Sequence, residues 1–459
     1  MSPLVFAVVS AFLVWRLFHL IDYFSVNLPI WDQFSFYFLL SSSANKWYAH
    51  AAQQSWWGLF DRQFGPHRLG VGLVVSKYLS RLTHWNFRAE TFLIGTLVSG
   101  AMVVAAAVKR RLFGPIAWHD AAIPLIMLTA GQYDIWAGTP DSSHGAFPLF
   151  FVMLYCLAWT MRWRPARYGL VLIINFLAIF TGFGLFLGCV TILVFTIRLA
   201  RALVLRRWNE TLGSLGMLAI AIASMGLFFF RYTLNSANPT FRFPDPNWPL
   251  YPHYMAIALA RAGGFVGKSR SGRHIADIIG WMLLIACVAA VLVHWRRAAS
   301  QDDPKWPRSL VILALLTFTL FFAADMVVGR ISMGREMIES SRYVPLMMPG
   351  LVGLYFAALA IERSAPRVAA VGAVLILACY SGMRVKSDDL HAMSLTTAGK
   401  ITWVETYLKT GQLDAAARAS AAVDPQFTIH PAPAEAKVPA KLRFLRDNKL
   451  SFFYTNRPQ

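Results

Sequence analysis

Residues 3–33 read PLVFAVVSAFLVWRLFHLIDYFSVNLPIWDQ. Residues 3–24 form a nearly unbroken apolar run, long enough to cross the roughly 30 Å hydrocarbon core of a bilayer as one helix. Trp31-Asp32-Gln33 follows within a few residues, so the Asp32 carboxylate falls just outside the span. A carboxylate held at a membrane surface is costly and points to a task. In the same loop, before the next apolar run, stands Gly65-Pro66-His67-Arg68. A span followed by a polar loop that carries an acid and a His-Arg pair sets the reading of the whole chain.

The remaining sequence repeats the apolar theme. Hydrophobic residues make up 57% of the chain and mean hydropathy is +0.49, values that a soluble protein of this size does not need. About eleven runs of spanning length can be drawn. They lie near residues 3–24, 90–108, 119–131, 145–161, 168–181, 183–198, 211–230, 276–294, 308–326, 344–362 and 367–383. These predict an all-α polytopic membrane protein. Gly182-Phe183-Gly184 predicts a tight hairpin between the fifth and sixth runs. Met1-Ser2-Pro3 lacks a basic start and an Ala-x-Ala site, so the first run reads as a retained span. Cys156, Cys189, Cys287 and Cys379 each fall inside an apolar run and read as small core residues.

The formal net charge of +20 would suggest nucleic acid on a soluble protein. Here it orients the spans, and no nucleic-acid partner is expected. Lys109-Arg110-Arg111, Arg162 to Arg167, Arg198 to Arg207, Arg296 to Arg308, and Arg363 with Arg367 occupy alternate loops. All fall on one side if the N-terminus is cytoplasmic. That places the Asp32 loop and the region after Met383 on the outer face. Residues 1–383 then form the membrane domain and 384–459 an outer helical tail. In the first outer loop, residues 27–89, Tyr48, Ala52, Trp56, Leu59 and Phe60 recur at helical spacing and predict an amphipathic helix in the interface. A second helix is expected from Leu69 to Leu82. In the tail, Ile401, Val404, Leu408, Leu413, Leu442, Leu445 and Leu450 predict two or three helices over the outer mouth. Residues 431–439 read as a linker. No internal repeat supports an inverted-repeat transporter.

Several polar residues have chemical potential. A partly desolvated carboxylate suits a general base, so Asp32 is the candidate catalytic residue. It is equally suited to capping a helix over Phe34–Leu40. His67 and Arg68 are paired donors suited to a phosphate, or a pair that anchors to headgroups. Asp134, Asp141 and His144 share one short loop and could hold a divalent metal, magnesium or manganese, with phosphate oxygens completing the shell. Solvated loop polarity is the simpler account. In the 327–343 loop, Arg330, Arg335 and Arg342 suit phosphate better than lysines would. Arg335 and Glu339 are spaced for a local ion pair. Residues 231–275 are rich in Pro and aromatics and read as an extended groove or rim.

Together, Trp31-Asp32-Gln33, Pro66-His67-Arg68-Leu69, Gln132-Tyr133-Asp134-Ile135-Trp136 and Ser341-Arg342-Tyr343 resemble the GT-C superfamily of membrane glycosyltransferases. The segments 442–445 and 450–453 resemble the ends of its bacterial members. Relatives often place a Glu where this chain has Pro66, and many use two acidic residues in the first loop; Asp61 is the only other one found up to Arg88. The resemblance implies an inverting transfer from a polyprenyl-phosphate sugar to a lipid, glycan or protein, on the outer face of a bacterial inner membrane. Asp32 would be the base. His67, Arg68 and Arg342 would hold the donor phosphate, and Gln132, Arg335 and Tyr343 would join the substrate site. Two other readings compete. A lipid-linked glycan polymerase or ligase would use His and Arg without a carboxylate base. A non-enzymatic lipid or glycan flippase would need charges at mid-membrane, where Arg16, His19 and Asp325 are the main candidates.

Overall fold

The computed structural model describes residues 2–36, 55–233, 241–267, 269–299 and 303–455. The part of the expected interfacial helix before Ser55, with Tyr48 and Ala52, lies outside the described residues, as does Lys268. Among the described residues about 78% are helical and strand is nearly absent. That is what a lipid environment demands, because a helix satisfies its own backbone. Among the described residues, nine helices are long and apolar enough to cross a membrane. The chain is an all-α, multi-pass membrane protein.

The first helix, α1 (Ser2–Phe24), shows how the sequence sorts its faces. Leu4, Val8, Phe12 and Trp15 are exposed while Leu13, Leu17 and Ile21 are buried. A two-stranded ribbon follows, β1 (Gln63–Phe64) and β2 (His67–Arg68), closed by Gly65 in the left-handed region. Next come α2 (Gly70–Leu82) and the long α3 (Phe87–Phe113). The apolar runs near 119–131 and 168–181 become α4 (Ala122–Met127) and α6 (Arg164–Ile179), with α5 (Phe147–Trp159) between them. Both are shorter than the roughly twenty residues of a full span. Then follow α7 (Leu185–Val204), α8 (Trp208–Phe229), α9 (Tyr251–Ala262), α10 (Arg270–Ala299) and α11 (Trp306–Arg330). The membrane part ends with α12 (Val344–Leu359) and α13 (Ser364–Gly382).

Exposed apolar side chains on α1, α8 and α10, such as Val8, Ile222 and Ile285, form the surface that lipid would cover. The core runs through α11 and α12, which pack together and are buried along most of their length. Arg16 does not line a path through the membrane. Its guanidinium donates to Met383 O at 2.9 Å and Leu128 O at 3.0 Å, so it satisfies the chain ends of α4 and α13. His19 stacks on Trp15 at 5.4 Å.

The basic loops gather at one end of the bundle. Arg111 reaches Thr160 Oγ1 at 3.2 Å, Arg308 reaches Leu112 O at 2.6 Å, and Arg167 and Arg198 lie over the Trp306 ring. Exposed Trp118, Trp163, Trp208 and Trp295 mark the same end, the aromatic signature of a headgroup layer.

The other end carries a second layer. The tail forms α14 (Ser387–Thr410), α15 (Leu413–Val423) and α16 (Val438–Asp447). Trp403, Val404, Leu442, Leu445 and Phe452 share one apolar core with Val26, Leu28, Ile30, Phe34, Leu69 and Leu73. Lys441 Nζ donates to Phe34 O at 2.6 Å and Lys400 Nζ to Ala137 O at 2.6 Å. The tail is therefore fastened onto the first loop.

Residues 231–275 differ from the expected loop. They include α9, whose Ala256–Ala262 are buried against α10, α11 and α12. A Cβ on Gly280 would lie 2.2 Å from Ala256 O, so α9 and α10 touch backbone to backbone. Gly280→Val is expected to cost about 1–3 kcal/mol through forced separation of these helices. Gly216→Ala, on the open face of α8, should be tolerated. Thermal unfolding of the two variants in detergent checks the contrast.

Candidate functional site

Asp32 stands in a turn held from three sides. Trp31 has φ +50°, a left-handed conformation unusual for a large residue. Its N–H donates to Ile429 O at 2.9 Å, and its indole Nε1 donates to Thr428 O at 2.8 Å. Gln33 Oε1 accepts from Ile30 N at 2.9 Å and its Nε2 donates to Pro140 O at 2.9 Å. The chain from 428 to 430 thus runs beside the turn, with His430 next to Asp32. Among the described residues, nothing donates a hydrogen bond to the Asp32 carboxylate. Burial pushes this carboxyl above the ordinary carboxylate range. His144, Arg342 and His430 pull it back, while Asp141 reinforces the rise.

The His144 segment is a single π-helical turn, Ser142–Ala146, entered from Asp141. Asp141 accepts from Ser143 N at 2.9 Å and His144 N at 3.3 Å, and its other oxygen is hydrogen-bonded to His144 Nδ1. His144 Nε2 is buried without a hydrogen-bond partner among the described residues. Behind the turn, Glu90 Oε1 accepts from Ser142 N at 3.1 Å, Ser142 Oγ at 2.9 Å and Ser76 Oγ at 3.3 Å. The expected hairpin forms as the short turn Gly182–Gly184. Gly182 has φ +54°, and a Cβ there would meet Ser143 O at 2.1 Å. Only glycine allows this approach, which sets Phe183 against both histidines. The Phe183 ring lies 4.2 Å from His67 and 5.8 Å from His144, and the two imidazoles are 5.1 Å apart. Burial, then the neighbouring His144 and Arg330, holds His67 well below its usual pKa, so it is neutral at pH 7.

The third wall is the turn Ser341–Tyr343 before α12. Arg342 Nε donates to Asp134 Oδ2 at 3.1 Å, and Asp134 N donates to Ser341 Oγ at 3.1 Å. Arg342 keeps its two terminal nitrogens without a hydrogen-bond partner among the described residues. The buried Tyr343 ring packs on Phe322 at 6.1 Å, and Arg330 lies over it at 4.8 Å.

Asp32, His67, Asp134, Asp141, His144, Arg342 and Tyr343 therefore converge at one end of the bundle, although three separate loops supply them. Three other candidates are engaged elsewhere. Arg68 is buried, donates to Phe228 O at 2.8 Å and Phe230 O at 2.7 Å, and is ion-paired with Asp61 at 2.6 Å. It ties the ribbon to the end of α8, and each of its three nitrogens already has a partner. Asp61 is thereby a structural partner and not a second site acid. Gln132 is buried, and its Nε2 donates to Met127 O at 3.0 Å and Thr129 O at 3.1 Å, closing α4. Arg335 bonds Glu339 at 2.8 Å and Asp277 at 3.0 Å, the local ion pair that its spacing allowed.

The expected metal set does not assemble. Asp134 is taken by Arg342 and Asp141 by His144, and among the described residues no group of three His, Cys, Asp or Glu is placed to hold a metal ion. Arg330, one of the three arginines read in its loop as suited to phosphate, adds a cation free of ion pairs among the described residues. One residue went unread in the sequence. His430 stands just before the 431–439 stretch read as a linker. Its Nδ1 accepts from Ala432 N at 3.0 Å, so the ring presents Nε2–H as a donor.

Compared with protein-family models, curated proteins and solved structures, the chain matches none.

The Asp32 shift carries a testable sign. Its folded pKa is above the unfolded value near 4, so the folded state holds more protons in that window. Stability from this group is complete below the unfolded pKa and is lost as pH rises through the folded one. Asp32→Asn is therefore expected to raise the unfolding temperature at neutral pH, by about a degree or more. A helix cap would give no rise, because Asn is at best an equal cap. Unfolding curves of both proteins at pH 4 and pH 7.5 decide it.

Proposed function

We propose that this chain is a membrane glycosyltransferase of the GT-C type, moving a sugar from a polyprenyl-phosphate donor to a lipid, glycan or protein acceptor. The observation that carries this reading is the Asp32 carboxylate. It is half-buried, accepts no hydrogen bond from a described residue, and faces Arg342 and His144 at the end of a membrane bundle. In this reading the bundle is GT-C-like with about eleven spans. The N-terminus is cytoplasmic, the Asp32 end faces outward, and the membrane is a bacterial inner membrane.

The chemistry follows from what each group can do. The acceptor hydroxyl attacks the anomeric carbon and its proton passes to Asp32. The bond between the anomeric carbon and the phosphate oxygen breaks, and the electron pair stays on the phosphate, which leaves as polyprenyl phosphate. The raised pKa of Asp32 brings its basicity closer to that of a useful base. Arg342 is fixed by Asp134 and offers its free fork to the leaving phosphate. Arg330 supplies the second positive charge. Neutral His67 and the Asp141-held His144 line the same space. Attack from the face opposite the phosphate gives inversion. Asp134, Asp141 and His144 do not form a ligand set, so no step is routed through a metal.

Asp32→Asn is expected to lower transfer by 10²-fold or more. Arg342→Lys keeps the charge but loses the fork, and should fall between wild type and Arg342→Ala. In a host lacking the protein, wild type should restore the missing glycoconjugate and Asp32→Asn should not. Full restoration by Asp32→Asn would sink the mechanism and favour a polymerase or ligase. The rate should also fall with acid at a pH above the ordinary carboxylate range, since the working form of Asp32 is ionised. Rates measured from pH 4 to pH 8 give that limb.

A further inference from the structure

A second polar site lies at the opposite end of the bundle from Asp32. The ends of α10, α11, α12 and α13 meet there around a cavity of about 90 Å³. Arg297, Lys305, Arg308 and Arg367 line it with a single carboxylate, Glu362. Lys305 neutralises that carboxylate at 2.7 Å. Arg308 is anchored through Nε to Leu112 O at 2.6 Å and lies over the Phe113 ring at 5.4 Å, which fixes its remaining donors in place. Neither Arg297 nor Arg367 forms an ion pair with a described residue. Three arginines from three different helices thus face one space in which the acid is already matched.

The cavity has built polar walls. His294 is buried within α10, and its Nδ1 is hydrogen-bonded to Ser309 Oγ at 3.0 Å. Both residues line the space. Arginines that merely reach for headgroups spread outward from the helix ends. These converge on a concavity with room for several waters, or for the phosphate group that would displace them. The depth is right for a lipid. Exposed Trp118, Trp163, Trp208 and Trp295 lie at this end, and tryptophans concentrate at the headgroup layer.

We propose that this cavity binds a phosphate group, the chemistry offered by an anionic phospholipid headgroup or by a soluble phosphate. Arg297 and Arg367 contact it, and Arg308 orients it. The site is independent of the chemistry at Asp32, so either assignment stands or falls alone.

The test uses purified full-length protein in detergent. Thermal unfolding is followed with phosphatidylglycerol, phosphatidylcholine or inorganic phosphate added, and native mass spectrometry counts the lipid retained. Phosphatidylglycerol should stabilise the protein and phosphatidylcholine should not. The double variant Arg297→Gln/Arg367→Gln should bind phosphatidylglycerol roughly tenfold more weakly or worse. Arg297→Lys/Arg367→Lys should recover most of the binding. Stabilisation by inorganic phosphate as well would identify a soluble ligand at the same site. The proposal is overturned if neither anion binds, if phosphatidylcholine binds as well as phosphatidylglycerol, or if the Gln variant binds like wild type while unfolding at the wild-type temperature without lipid.

Discussion

The two hydrogen bonds from Trp31 to the chain at Thr428 and Ile429 hold the outer layer together. Trp31 occupies a left-handed conformation that costs on the order of 1 kcal/mol or more for a residue of its kind. Docking of the tail offsets that cost and leaves Asp32 pointing into the site. The apolar core shared by the first loop and the tail supports the same arrangement. A carboxylate at this membrane end is thus positioned by residues nearly four hundred positions away in sequence.

The polar residues around it divide into those that build and those that remain available. Glu90, Arg68, Gln132, Arg335 and Lys400 each direct polar atoms to backbone groups, serines or ion-pair partners within the fold. Asp32, His144 Nε2, the Arg342 fork, Arg330 and His430 Nε2 are left facing one region. Of these, His144 Nε2 is buried without a partner among the described residues, and such atoms are rare because they are costly. The others are partly buried around it, at the end of an otherwise apolar bundle.

The sequence made the membrane architecture legible because hydropathy over twenty residues is a strong local signal. The apolar runs reappear as helices, with α4 and α6 shorter than a full span. Helix α9 was missed because its apolar stretch around Ala256–Ala262 is short, and Pro and aromatics dominate the residues before it. The site was legible in part. Asp32, His67 and Arg342 are polar groups in loops between apolar runs, and that much is visible in one dimension. Nothing in one dimension shows that Arg68 turns to Asp61 and the carbonyls of Phe228 and Phe230, or that Asp134 turns to Arg342 instead of a metal. His430 was hidden for the same reason, since it reaches Asp32 only through the pairing of its neighbours with Trp31.

The most direct measurement of the central claim is turnover of a synthetic polyprenyl-phosphate sugar by purified protein in proteoliposomes. Released polyprenyl phosphate would be followed for wild type, Asp32→Asn and Arg342→Ala. The account predicts release by wild type, loss of release with Asp32→Asn although that protein is folded and binds donor, and weakened donor binding with Arg342→Ala. Equal release by wild type and Asp32→Asn, or no donor binding by wild type, would contradict it.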